Sequence, residues 1–154
     1  MHTVQSFLNL FDYDRWANEA ALASLAGVGA AERPRGIFAH ILGAQRVWRA
    51  RFDHPRPPGA QPWPGLTADE CRTAIEENSQ AWKTLVSRLT EEKLGENLVY
   101  HNTQGARFET PIRDVLTHLL MHSAYHRGQV AAAVREAGGN PANTDYVYYL
   151  RQKA

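Results

Sequence analysis

A chain of 154 residues can bury a core without disulfides or structural metal clusters, and it is short enough that a single domain over residues 1–154 is expected. With 44% apolar and 21% charged residues the composition excludes disorder, and a formal charge of +1 gives no global basic excess, so no nucleic-acid partner is expected. No apolar run approaches the roughly 20 residues that span a bilayer, the N-terminus lacks a basic-then-apolar export pattern, and the single Cys71 fits a reducing compartment; these favour a cytoplasmic protein with no membrane partner.

Phe7, Leu10, Phe11, Ala17, Ala21 and Leu25 recur at three- and four-residue spacing, which predicts a first helix from Val4 to about Leu25, stopped by Gly27 and Gly29. After Pro34 the same period runs through Ile37, Phe38, Ile41, Leu42, Trp48 and Phe52 and predicts a second helix. His54 to Gly65 holds five of the eight prolines, and proline removes donors and breaks helices, so this is a loop. Thr67 to Glu70 reads as a capping box opening a third helix, with Ile75, Trp82, Leu85, Val86 and Leu89 as its apolar stripe and an end near Gly95. Leu98–His101 and Ala106–Glu109 flank a turn at Asn102–Gly105, the pattern of a small hairpin. Thr110 as N-cap and Pro111 at the first helical position start a fourth helix, which runs to about Ala137 and stops at Gly138-Gly139-Asn140-Pro141. The tail from Thr144 to Leu150 is short and aromatic. Four long segments with one apolar face each bury those faces together only as a bundle, so the fold expected is all-α, with the hairpin before the last long helix. The long second-to-third connection leaves the helix order open.

His118, His122 and His126 follow one another at four-residue spacing, so they step about 40° around the helix and about 6 Å along it, forming one ridge. A histidine pair at i and i+4 can aim two ring nitrogens at one point, as in zinc sites where metal–nitrogen bonds are about 2.0–2.1 Å. The candidate third ligand is His40, whose neighbours Ile37, Ile41 and Ala44 place it on the core-facing side of the second helix. An isolated inward histidine is more often hydrogen-bonded to a backbone carbonyl. Several imidazoles in one small core all need partners, however, and a shared ion supplies them together. His2, His54 and His101 are expected to face solvent.

The segment His122-Ser123-Ala124-Tyr125-His126-Arg127-Gly128-Gln129 resembles the HxxYHRGQ signature of the DinB-like family, a group of bacterial metal-binding bundles. The likeness extends to Tyr13-Asp14-Arg15-Trp16-Ala17-Asn18, to Phe38-Ala39-His40-Ile41, and to Gly138-Gly139-Asn140-Pro141 with Asp145-Tyr146 and Tyr149-Leu150. Residues 55–95 carry no usable signature. The resemblance implies a four-helix bundle with non-sequential helix order, commonly a homodimer, whose ligands correspond to His40, His122 and His126, with His118 outside the triad. Several large aromatic residues that one small bundle does not readily bury also suggest a dimer. Similar proteins include thiol-dependent transferases and a thiol-dependent isomerase, so a low-molecular-weight thiol enters as a possible co-substrate, and family membership alone does not fix the reaction.

Three neutral imidazoles leave a divalent ion its full charge and at least one open position, where a bound water reaches a pKa of about 7 or a thiol becomes thiolate. Nitrogen-only ligation suits zinc or nickel first, then iron or copper. The His122–His126 turn has no carboxylate to act as base, so proton transfer needs another group. His118 is the first candidate, weighed against simple core packing; Tyr125 and Asn18 follow. Arg127 reads as an ion pair locking the bundle ahead of a substrate-carboxylate contact, and Gly128 as a close approach of another helix. Trp16, Trp48, Trp82 and Phe11 read as core. Arg46, Arg49, Arg51 and Arg56 read as a solvated basic face ahead of an acidic-ligand site. The function expected is a metal-dependent transferase or hydrolase that activates a thiol or water on a small electrophilic substrate. The alternative is a non-catalytic metal-binding stress-response protein in which the ion ties two helices together.

Overall fold

The computed structural model of the chain describes residues 3–29, 31–59, 61–102 and 104–153; His2, expected at the surface, lies outside them. Helix α1 spans Val4–Leu25 and is opened by the Thr3 side chain, which accepts the Ser6 N–H at 3.1 Å. Helix α2 spans Glu32–Asp53. It starts two residues before Pro34, because a proline in the first helical turn gives up an N–H that has no intrahelical acceptor anyway. Helix α3 spans Ala68–Ser87, with the Thr67/Glu70 capping box formed as expected. It ends well short of Gly95: the Thr90 hydroxyl accepts the Lys93 N–H at 3.2 Å, a local bond that competes with helix, and a 3-10 turn follows at Lys93–Gly95.

Strands β1 (Asn97–His101) and β2 (Arg107–Pro111) form the antiparallel hairpin, with Tyr100 opposite Phe108. The ladder holds Thr110 and Pro111 extended opposite Leu98 and Asn97, so helix α4 begins at Ile112 rather than Pro111, and runs to Glu136. The aromatic tail forms a further short helix, α5 (Tyr146–Lys153), which its sequence pattern did not reveal. The Tyr13 hydroxyl donates to the Thr144 carbonyl at 2.7 Å, and Tyr13 and Trp16 both pack on the Tyr149 ring. No helix is long and apolar enough to cross a membrane among the described residues.

Helix α1 packs against α3 and α4, and so does α2, while α1 and α2 touch only lightly. The order around the bundle is therefore α1, α3, α2, α4, which is non-sequential. The apolar interior is split in two. One cluster centres on Phe38, Ile41, Leu42, Ile75 and Val134, the other on Phe7, Phe11, Trp82, Leu116 and Leu119. Between them, on every long helix, lies a buried polar residue. Arg127 Nη1 donates to Asp14 Oδ1 at 2.5 Å and to Asn18 Oδ1 at 2.9 Å. Gln45 Nε2 donates to Asp14 Oδ2 at 2.7 Å, and Asn78 Nδ2 donates to Gln45 Oε1 at 3.1 Å. Buried polar groups persist only when paired, so this network fixes the rotation of all four helices at one level. Arg127 is thus the bundle-locking residue its position suggested.

The expected helix contact at Gly128 is absent among the described residues: a Cβ built there meets none of them within 4 Å. The close approach is at Gly43 instead, where a Cβ would stand 2.5 Å from Pro64 Cδ and 2.8 Å from the Pro62 carbonyl oxygen. This lets the proline-rich loop lie directly on α2.

Candidate metal centre

Neighbouring helices α2 and α4 bring His40, His122 and His126 together, with one ligand nitrogen from each lying within 4.8 Å of the others. Ring centroids are 4.4 Å apart for His122 and His126, 4.6 Å for His40 and His126, and 5.0 Å for His40 and His122. His40 is buried and the other two half-buried. Two of the rings are oriented from behind. His40 Nδ1 lies 2.6 Å from the Pro62 carbonyl oxygen, and His126 Nδ1 lies 2.7 Å from Gln129 Oε1. A carbonyl oxygen only accepts, so a ring facing one places its proton on Nδ1 and leaves Nε2 with a free lone pair, the arrangement usual for metal-bound histidine. His122 Nδ1 is buried with no partner among the described residues.

Burial lowers the pKa of His40, opposed by the Pro62 bond and reinforced by His126. His122 is pushed down to about 4, first by burial and then by His126, His40 and His118. Neutral rings with unshared nitrogens are the ligand form of histidine. The donor set therefore fits one metal ion, and three nitrogens leave a tetrahedral ion one position for a further ligand.

Trp63, from the proline loop, stacks on His40 at 3.8 Å with the planes 11° apart, a role its sequence context did not announce. Beside the triad opens a cavity of about 470 Å³, with His40 and His122 in its wall along with Trp48, Arg51, Arg56 and His101. His101, expected in solvent, is half-buried here because its N–H donates to the Pro55 carbonyl at 3.0 Å and pins the hairpin to the loop. Its exposed counterpart His54 behaves as expected. The basic cluster divides. Arg46 and Arg49 pair with Glu77 and Asp53 at the surface, whereas Arg51 is buried against the cavity and does not belong to a solvated face. Trp48 is likewise cavity wall as much as core, and its ring lies 5.4 Å from His118.

The three proton-carrier candidates fall in different places. His118 stands one turn from His122, with ring centroids 5.7 Å apart, and its pKa is lowered by loss of solvent and then by Arg51. Tyr125 is exposed and touches His126 edge-on at 5.1 Å. Asn18 is buried in the polar network, where Asp14 and Arg127 occupy both ends of its amide, and it does not line the cavity.

Comparison with known proteins agrees with the fold. A solved DinB-like protein of Bacillus cereus ATCC 10987 superposes with a TM-score of 0.73 over 92% of this chain and 97% of its own, at 19% identity. A DinB-like protein of Bacillus subtilis superposes with a TM-score of 0.55 over 91% and 94%, at 18% identity. Protein DinB of Bacillus subtilis (strain 168) is 37% identical over 59 residues, which cover 38% of this chain and only 34% of that relative. Residues 29–154, which include all three clustered histidines, match the profile of the DinB family, and the chain belongs to that family.

Proposed function

We propose that this chain is a metal-dependent transferase or hydrolase that activates a thiol or a water molecule against a small electrophilic substrate. The observation that supports this reading is the position of the triad: three clustered histidines, two of which, His40 and His122, stand in the wall of a cavity large enough for a small molecule. A divalent ion held there, zinc or nickel ahead of iron or copper, supplies Lewis acidity that favours the deprotonated form of a thiol or water. The chain's own residues do the rest. Pro62 and Gln129 hold the His40 and His126 rings in register, and Trp63 covers the His40 face. His118, kept neutral, accepts the proton, with Tyr125 as the outer alternative. The reading includes a homodimer in the cytoplasm; the exposed Tyr146, Val147, Tyr148 and Leu150 on α5 are the apolar surface that supports the dimer.

Elemental analysis and a thiol-cofactor screen test it together. The purified protein should carry about one ion per chain, because three ligands converge on one point. His40→Ala and His126→Ala should each abolish most of the metal, and unchanged content in either variant removes the triad. Absence of any thiol- or water-dependent turnover by the loaded protein across electrophile classes would favour the second reading, a non-catalytic ion. That reading draws on the fact that the ligands come from two different helices, which an ion would tie together.

A further inference from the structure

We propose that the cavity beside the triad carries a carboxylate-binding subsite made by Arg51 and Arg56, so that its ligand has a metal-binding head and an anionic tail. This rests on the reading of the triad as an open metal site and names the chemistry of what enters it.

The observation behind it is an unbalanced buried charge. Arg51 is 9% exposed, yet it makes no ion pair with any carboxylate among the described residues. Its Nη2 donates to the His101 carbonyl at 3.2 Å, its guanidinium lies 4.2 Å over the Trp48 ring and 5.0 Å over Tyr100, and its Nε is buried without an acceptor among the described residues. Arg127 is buried more deeply still and also has nitrogens without an acceptor among the described residues, but there Asp14 supplies the counter-charge that Arg51 lacks. A buried cation with neither a carboxylate nor a full set of acceptors is costly unless a ligand completes it. Arg56 stands at the same cavity, also with no carboxylate partner among the described residues. Its Nη2 occupies the space a Cβ on Gly105 would take, 2.7 Å away, so the hairpin turn makes room for it.

The rest of the wall agrees. Among the described residues it contains three histidines, two arginines and Asn102, and no aspartate or glutamate. The wall of the other large cavity, about 550 Å³, differs in carrying its own carboxylates, Glu19 and Glu76, which pair with Arg15. Arg51 lies eleven residues after His40 on α2, roughly 16 Å along the axis, and both residues line the same cavity. Trp48 fills the interval and offers an apolar surface for the linker. A planar carboxylate matches the guanidinium fork, which makes it the anion of choice.

The test compares 6-mercaptohexanoate with 6-mercaptohexan-1-ol on the full chain loaded with cobalt(II), reading the thiolate-to-cobalt absorption band and the Kd by calorimetry. The acid should bind roughly tenfold or more tightly than the alcohol, the advantage of a charge-assisted hydrogen bond. Arg51→Met should erase that preference, and Arg56→Gln, at an exposed position where folding is not at risk, should reduce it. Equal affinities in the wild type, or a preference unchanged in both variants, overturns the subsite while leaving the metal site standing. If neither thiol alters the cobalt spectrum, the open-site reading itself fails. Hexanoate against hexan-1-ol on the metal-free protein then decides the subsite alone: binding of the acid that is lost in Arg51→Met supports it, and no binding overturns it.

Discussion

Gly43 and Pro64 approach so closely that a Cβ on the glycine would stand 2.5 Å from the proline Cδ. This contact seats the loop that presents the Pro62 carbonyl to His40 and the Trp63 ring to its face. Gly43→Ala should therefore lift the loop, cost His40 its orienting acceptor, and weaken metal binding by about 10- to 100-fold while the helices stay formed. Competition against a chromophoric chelator, with circular dichroism as the control, measures this. Unchanged affinity would show that the loop does not position the ligand.

The polar network gives a prediction of stability rather than binding. Asp14 balances Arg127 deep in the bundle, so Asp14→Ala leaves a buried guanidinium unpaired and should cost about 3–5 kcal/mol in urea unfolding. Removing both charges, as Asp14→Ala with Arg127→Met, should cost clearly less than the sum of the single variants, because neither partner is then stranded. Additive losses would mean the pair is not coupled.

How far the residues themselves disclosed this molecule depends on the range of the interaction involved. Helix α1, the Thr67 cap, the hairpin and the His40, His122, His126 grouping were readable because each rests on local periodicity or on side chains fixed to one helix face. The family motif residues Asp14, Asn18 and Arg127 were visible as a pattern, and the structure supplies their physical reason, one shared network. What stayed hidden is what the loop and hairpin bring from a distance. Trp63 over His40, His101 pinned to Pro55, and Arg51 turned inward depend on contacts between segments far apart in the chain, and periodicity says nothing of these. Nothing in the sequence marks Gly43 above Gly128 for the same reason: a helical glycine signals a close approach only when something lies above it.

The lowered pKa of His122 has a consequence for the metal-free protein. Its folded value near 4 lies below the ordinary 6.5, so between those two values the unfolded chain binds more protons at this site than the folded one. The sign follows: the contribution of His122 to stability is fully present above pH 6.5 and is lost as the pH falls toward 4. His40, shifted in the same direction, adds to the loss. Urea midpoints of the metal-free protein at pH 7, 5.5 and 4 should fall more steeply for the wild type than for His122→Gln, which has no ring to protonate. Parallel slopes would show that burial of this ring does not govern the acid limb.

Metal removal discriminates most directly between an ion that serves chemistry and one that holds the fold. Two apolar clusters and a four-helix polar network are in place without any contribution from the triad, whose ligands come from only two of the helices. Burial on this scale holds a domain of this size, so chelation should leave the far-ultraviolet circular dichroism unchanged. The melting temperature should still fall, because an ion that binds only the folded state contributes by mass action, about 2.7 kcal/mol at a free concentration of 100 times its Kd. A structural site of the zinc-finger kind behaves otherwise, since there binding and folding are one event and the metal-free chain is unfolded. Collapse of the helical signal on chelation would mean that the ion, and not the split core, keeps α2 against α4, and the non-catalytic reading would then be the better one.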